Sequence, residues 1–174
     1  MKNKKFIITI LLLLSVELMA GQTIKSFNSD WKFKLHQQEG AQTPDFDDSD
    51  WESVIVPHDA SIGGKFDHDN STSANGWLPH QEGWYRKSFT IPATAKGKKM
   101  FIKFEGVYRD AKVWFNGEYL GRNLNGYLGF EYDLTPYVKF DEENVIAVHY
   151  DNTIKGTSRW YRRRNLPRCM AENS

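Results

Sequence analysis

The chain is poor in cysteine, with one residue, Cys169, so an internal disulfide is excluded. It also lacks any extended stretch of helical period. No apolar run is long enough to cross a bilayer comfortably; the one candidate, Phe6–Val16 (FIITILLLLSV), is about half the length a span needs. A basic excess is missing too. Of the 23 basic residues, Lys2, Lys4 and Lys5 sit at the extreme N-terminus and Arg162, Arg163, Arg164 and Arg168 in the last thirteen positions. With these set aside, and Glu17 and Glu172 removed from the 22 acidic residues, the body carries a net charge of −4. A mildly acidic body offers no electrostatic footprint for a nucleic-acid backbone, so an arginine-driven nucleic-acid-binding reading lacks support.

What the sequence has is aromatic side chains: six Trp, eight Tyr and eleven Phe in 174 residues. That supply fits an ordered domain with a substantial core. Trp and Tyr can also stack on the C–H faces of sugars, so each ring has a core reading and a ligand reading.

Met1–Ala20 reads as an export signal: a basic start, the apolar Phe6–Val16 stretch, and Leu18-Met19-Ala20-Gly21 as a cleavage site. The expected location is therefore periplasmic or extracellular. An uncleaved anchor is the alternative, and no cysteine follows the signal to take a lipid.

Beyond it, apolar residues recur at every second position in short segments, the period of strands with one buried face. Such segments run through 27–35, Trp51–Val56, Trp84–Ile91, Phe101–Gly121, Tyr127–Tyr132 and Asn144–Tyr150. Within Phe101–Gly121, Ile102, Phe104 and Val107 alternate with Lys103 and Glu105. Ala111, Val113 and Phe115 alternate with Lys112, Trp114 and Asn116. This predicts two strands with a corner between them at the centre of one antiparallel sheet, ended by an Asn116-Gly117 hairpin turn. Arg109 and Asp110 read as a buried ion pair and Trp114 as a packing aromatic. A short turn or helical element is expected at Tyr137-Val138. Many short strands separated by turns predict an all-β fold, an antiparallel sandwich or jelly roll.

Two polar stretches invite metal readings. Asp45, Asp47, Asp48 and Asp50 fail as an EF-hand loop: no glycine stands at the sixth position and Val56 stands at the twelfth. Asp67-His68-Asp69 lies in the long loop 58–79, with His58 and His80 as the nearby partners. Adjacent loop residues seldom converge on one ion, so no metal or other cofactor is expected.

The signals also occur in a specific order. Asp30-Trp31-Lys32-Phe33 is followed by Phe46-Asp47-Asp48-Ser49-Asp50-Trp51 and Val54-Ile55-Val56-Pro57-His58-Asp59. Gly83-Trp84-Tyr85-Arg86-Lys87 comes next, then Phe104-Glu105-Gly106-Val107 and Ala111-Lys112-Val113-Trp114-Phe115-Asn116-Gly117. Asp133-Leu134-Thr135, Asp151-Asn152 and Ser158-Arg159-Trp160-Tyr161 complete the set. This ordered set resembles the N-terminal sugar-binding domain of glycoside hydrolase family 2, of the β-galactosidase type, over about residues 26–161.

The resemblance implies a galactose-binding-domain-like jelly-roll β-sandwich over residues 24–161, between the signal at 1–20 and an aberrant tail at 162–174. In the family this domain precedes an immunoglobulin-like sandwich and a TIM barrel. The barrel carries both catalytic glutamates of a retaining mechanism, a carboxylate pair about 5–5.5 Å apart. None of the present carboxylates takes that role. The implied partners are a β-galactoside-type glycan and, in full-length relatives, the catalytic barrel of the same chain. The substrate-facing residues it implies are Arg159, with Trp160 beside it, then His80 and Trp77 before the Trp84 strand, and Asp151 and Asn152 after the last strand. Asp151 and Asn152 also read as turn formers. The expected function is the sugar-binding module of a β-galactosidase-like enzyme, inactive alone; the alternative is a stand-alone periplasmic carbohydrate-binding module.

After Tyr161 the family pattern continues with a Gly-rich motif and a strand, where this chain reads RRRNLPRCMAENS. Met170-Ala171 is encoded ATG-GCN, and one base later that gives TGG, tryptophan. With permitted codons around it, the shifted frame spells G-A-G-I-Y-R-D-A-W-L-K-T. A frameshift is thus expected, leaving the sandwich without its last strand. Sequencing of the gene tests this: the shifted frame is expected to contain that motif, and a shifted frame without it refutes the idea.

Overall fold

The structure, a computed structural model, describes residues 23–69, 71, 76–153 and 169–173, the last segment as backbone. The signal at 1–20 and the Ser158–Tyr161 motif lie outside these residues. Among the described residues ten strands form two antiparallel sheets: β1 (Thr23–Ser26), β2 (Trp31–Leu35), β3 (Glu52–Val54), β4 (Glu82–Thr90), β5 (Met100–Phe104), β6 (Ala111–Phe115), β7 (Glu118–Asn123), β8 (Phe130–Asp133), β9 (Glu143–Asp151) and β10 (Cys169–Asn173). One sheet has the order β3-β2-β4-β9-β6-β7 and the other β1-β10-β5-β8. The only helical pieces among the described residues are short 3-10 turns such as Thr135–Tyr137, next to the expected Tyr137-Val138 element. The architecture is an all-β jelly-roll sandwich, as the alternation predicts.

The inner faces meet in a core that includes Trp31, Phe33, Tyr85, Ile102, Phe104, Val113, Phe115, Ile146, Val148 and Tyr150. The Asn116-Gly117 turn forms as expected between β6 and β7, with φ of 52° and 88° at its two central residues. Its asparagine does more than turn the chain. Asn116 Oδ1 accepts from Val145 N at 2.9 Å, and Asn116 Nδ2 donates to Asn144 Oδ1 at 2.9 Å. Asn144, fully buried, also accepts from Lys139 N at 2.9 Å and donates to Lys139 O at 2.7 Å. The hairpin is thereby fastened to the start of β9 with its buried amide groups paired.

Four expectations are corrected. First, Phe101–Gly121 is not the centre of one sheet: β5 lies in the four-stranded sheet and β6 in the six-stranded one. The corner at 105–110 carries the chain across the sandwich, and period-two alternation cannot reveal that switch because both strands bury one face in the same core. Second, Asp110 pairs with Arg122, not Arg109, through bonds of 2.5 and 2.7 Å. Asp110 stands just before β6, two residues from Lys112, which lies opposite Arg122 on β7, so the Arg122 side chain reaches it diagonally. Third, the face carrying Trp114 is not wet. Trp114 packs at 5.2 Å on Trp84, in a second cluster with Ala41, Trp51 and Ala147 outside the six-stranded sheet. Fourth, a strand is present near the C-terminus: β10 pairs with both β1 and β5, Ala171 opposite Ile102 and Ile24 opposite Glu172. Alternation in five residues, CMAEN, is too short to announce it.

The second cluster has a cover, the chain from 36 to 51, and Arg86 holds it. Arg86 lies on the outer face of β4 with 1% of its surface exposed. Its Nε donates to Asp48 Oδ2 at 2.7 Å, Nη1 to the carbonyls of Ala41 and Thr43, and Nη2 to those of Pro44 and Phe46. One guanidinium thus satisfies four loop carbonyls and one of the acidic run's carboxylates, a match its planar fork allows and a lysine would not. Replacing Arg86 by methionine keeps the apolar stem but strands those acceptors. Urea unfolding of Arg86→Met is expected to show a loss of about 3–5 kcal/mol, with increased solvent access at Trp51 and Trp84; a loss under about 1 kcal/mol would show that the loop holds itself.

Candidate functional site

The long strands β4 and β9 run side by side, Glu82 opposite Asp151 and Trp84 opposite His149. At this end of the six-stranded sheet β2 finishes, β4 begins, β6 begins, β7 finishes and β9 finishes. Loops from five strands therefore meet at one rim.

Three of the six expected site residues come together there. His80 Nδ1 lies 2.9 Å from the carbonyl of Asn152, whose N–H donates to Gln81 O at 2.9 Å. Asp151 N donates to Arg109 O at 3.1 Å, tying β9 to the corner before β6. The Asp151 carboxylate accepts from Thr153 N at 2.7 Å and Thr153 Oγ1 at 2.6 Å, which makes it a turn former. Asn152 differs. It is 4% exposed, and its Oδ1 is buried with no hydrogen-bond partner among the described residues. Gln81 Oε1, next to His80, is in the same condition. An unpaired buried acceptor costs about 1–3 kcal/mol.

Trp77 is not part of this set. It is half-buried at a φ of 58°, its ring stacks on His68 at 4.3 Å, and its carbonyl accepts from Asp67 N at 2.7 Å. The Asp67-His68-Asp69 stretch thus builds a turn around Trp77. Arg159 and Trp160 lie outside the described residues.

Two further histidines, His149 and His58, have partners that the sequence does not announce. His149, 4% exposed, lies with Nε2 3.4 Å from Glu82 Oε2. Gln37 Nε2 donates to that oxygen at 2.5 Å and lies 3.3 Å from His149 Nε2. Burial holds the His149 pKa below its ordinary value, with Glu82 opposing and Lys112 adding to the depression. His58 Nδ1 is 2.9 Å from the Tyr85 hydroxyl, and burial depresses its pKa too, against Glu52 and Asp59. It lines a cleft of about 470 Å³ with Phe33, Leu35, Glu52, Asp59 and Ile62. His149 sits in the apolar run of β9 and His58 follows Pro57; nothing in their spacing ties either to its partner far along the chain. The Arg122 hydrogen bonds hold the Asp110 carboxyl below the usual carboxylate range.

A two-sheet jelly roll with a polar, loop-built rim at one end of its longer sheet belongs to the class of galactose-binding-like β-sandwiches. The glycosyl hydrolase 2 galactose-binding domain-like family model matches residues 57–173. The chain belongs to that family and corresponds to the N-terminal domain of family 2 glycosidases. It is 44% identical over 148 residues to beta-galactosidase BoGH2A of Bacteroides ovatus, covering 84% of this chain and 17% of that protein. It is 41% identical over 133 residues to a beta-glucuronidase of Formosa agariphila, covering 75% of this chain and 14% of that one. Among solved structures, a beta-glycosidase from Bacteroides vulgatus superposes with a TM-score of 0.79 at 42% identity, over 86% of this chain and 20% of that chain. The chain thus spans about a seventh to a fifth of these relatives.

Because His58 and His149 are held neutral by burial, the unfolded chain binds protons below about pH 6.5 that the folded chain resists. Stability present above that pH is lost as the pH falls through the window beneath it, and Asp110 adds a further loss below about pH 4. Unfolding midpoints in urea are expected to drop between pH 7 and 5, and His149→Gln to flatten the drop. An unchanged midpoint across that range would contradict the burial of neutral imidazoles.

Proposed function

We propose that the chain is the sugar-binding module of an exported, β-galactosidase-type family 2 glycosidase and that it does not hydrolyse glycosides by itself. The observation that supports this most is the convergence of His80, Gln81, Asp151 and Asn152, from the start of β4 and the end of β9, on one polar, loop-built rim. Sugar hydroxyls are donors as well as acceptors, and a polar rim suits them. Family membership and the beta-galactosidase name of the 44% identical relative favour a galactoside. The rim's own carboxylates favour binding over catalysis. Asp110 is committed to Arg122, Asp151 to Thr153 and Glu82 to Gln37, so none stands ready as acid or nucleophile. A retaining reaction needs one protonated and one ionised carboxyl facing each other across a bond. On this reading that work falls to the catalytic barrel that the resemblance implies for the full-length enzyme, with this module lending side chains to the pocket. Residues 1–20 supply the export reading.

Isothermal titration with galactose and with glucuronic acid tests this. Galactose is expected to bind, His80→Ala and Asn152→Ala to weaken it by tenfold or more with the fold intact, and a nitrophenyl β-galactoside to remain uncleaved. Tighter binding of glucuronic acid would reassign the sugar. Binding insensitive to both substitutions would refute the rim.

A further inference from the structure

The cleft of about 470 Å³ that His58 lines opens between the inner face of β2 and the loop from 57 to 64. It adjoins the rim at two points. Leu35 lies opposite Gly83 at the start of β4, and His36 N donates to Glu82 O at 2.9 Å. Gly64 rests on Pro79, the residue before His80: a Cβ there would come within 2.6 Å of the Pro79 ring, so only glycine allows the contact. The loop is already seated. Asp59 Oδ1 accepts from Ser61 N at 2.9 Å, Gly64 N donates to Ser61 O at 3.0 Å, and the His58 ring meets Phe33 edge to face at 4.8 Å. These contacts leave polar atoms for a ligand. Glu52, opposite Phe33 and so on the same face, makes no hydrogen bond or ion pair among the described residues. Asp59 keeps its second carboxylate oxygen, and His58, whose Nδ1 is engaged by the Tyr85 hydroxyl, keeps Nε2. Leu35 and Ile62, the latter 73% exposed, add apolar surface. No lysine or arginine lines the cleft, and burial holds the His58 pKa below its ordinary value, so the two carboxylates stand beside an uncharged imidazole.

We propose that this cleft is a sugar subsite next to the rim, one in which Glu52 and Asp59 accept an uncharged pyranose unit and reject a uronic acid. The proposal rests on the reading of the rim as glycan-facing. The lining suits a neutral pyranose: its hydroxyls donate to the Glu52 carboxylate and the second Asp59 oxygen, His58 Nε2 serves a further hydroxyl, and Leu35 and Ile62 meet its C–H face. A uronate brings a third negative charge to a lining that holds no cation to meet it. Like charges placed together discriminate against the wrong ligand more strongly than a missing contact does. Because the loop's own hydrogen bonds already fix it, little ordering accompanies binding.

The test is titration calorimetry on the full chain with galactose, a β-linked galactobiose, and the same disaccharide carrying glucuronic acid in place of its non-reducing unit. Galactobiose is expected to bind at least about tenfold more tightly than galactose, and the acidic disaccharide no more tightly than galactose. Glu52→Gln combined with Asp59→Asn removes both charges and keeps the acceptor that Ser61 N uses. It is expected to bring the acidic disaccharide to within about threefold of galactobiose. Equal affinity of the wild-type chain for galactose and galactobiose overturns the subsite, as does equal affinity for the two disaccharides, or a gap between them that the double variant leaves in place. His80→Ala separates this from the rim. If it changes no Kd while the double variant closes the gap, the cleft stands as a sugar site and the rim does not. If it weakens galactose but galactobiose binds no better than galactose, the rim stands and the cleft falls. If the wild-type chain binds none of the sugars, both fall.

Discussion

The arrangement depends on one buried guanidinium. Arg86 lies in the middle of β4 and points away from the main core, where an apolar residue would be the simpler choice. It is tolerated there because the loop from 36 to 51 brings it a carboxylate and four carbonyls. A buried charge without such partners would cost several kcal/mol. Loop and arginine are therefore mutually required: the loop's carbonyls need donors and the arginine needs acceptors. Trp51, Trp84 and Trp114 close the gap between them.

That interaction makes the six-stranded sheet a buried layer. Its inner face meets the four-stranded sheet and much of its outer face meets the Arg86 loop. β9 consequently reads as an almost unbroken buried run from Asn144 to Tyr150, unlike the alternating strands elsewhere. With both faces of the central strands occupied, ligand access is left to the strand ends. The end where β4 begins and β9 finishes gathers His80, Gln81, Asn152 and the Asp110–Arg122 pair. Rigid strands carrying a loop-built rim are the usual division between scaffold and site.

Much of the scaffold was legible in the sequence because period two is a local signal. Eight of the strands lie within or beside stretches where alternation is plain, and Asn116-Gly117 names its own turn. The sheet to which each strand belongs was not legible, since β5 and β6 bury their faces in a common core. β1 and β10 are too short for a pattern. The role of the acidic run of 45–50 was not legible because the cation that engages Asp48 lies thirty-eight positions away. The site divides in the same way. The family resemblance pointed to His80, Asp151 and Asn152, which do share a rim. It also pointed to Trp77, which folds back on His68 instead. The unfilled acceptor of Gln81 and the pairing of His149 with Glu82 and Gln37 depend on three-dimensional neighbours that spacing does not encode.

The central claim is that this end of the six-stranded sheet is the sugar-facing end of the domain. A crystal structure of the chain soaked with a β-galactoside addresses it most directly. The account predicts sugar density at this rim, against His80. Density instead at the opposite end, in the apolar cleft of about 220 Å³ lined by Phe27, Phe89, Ile91 and Leu134, would contradict it.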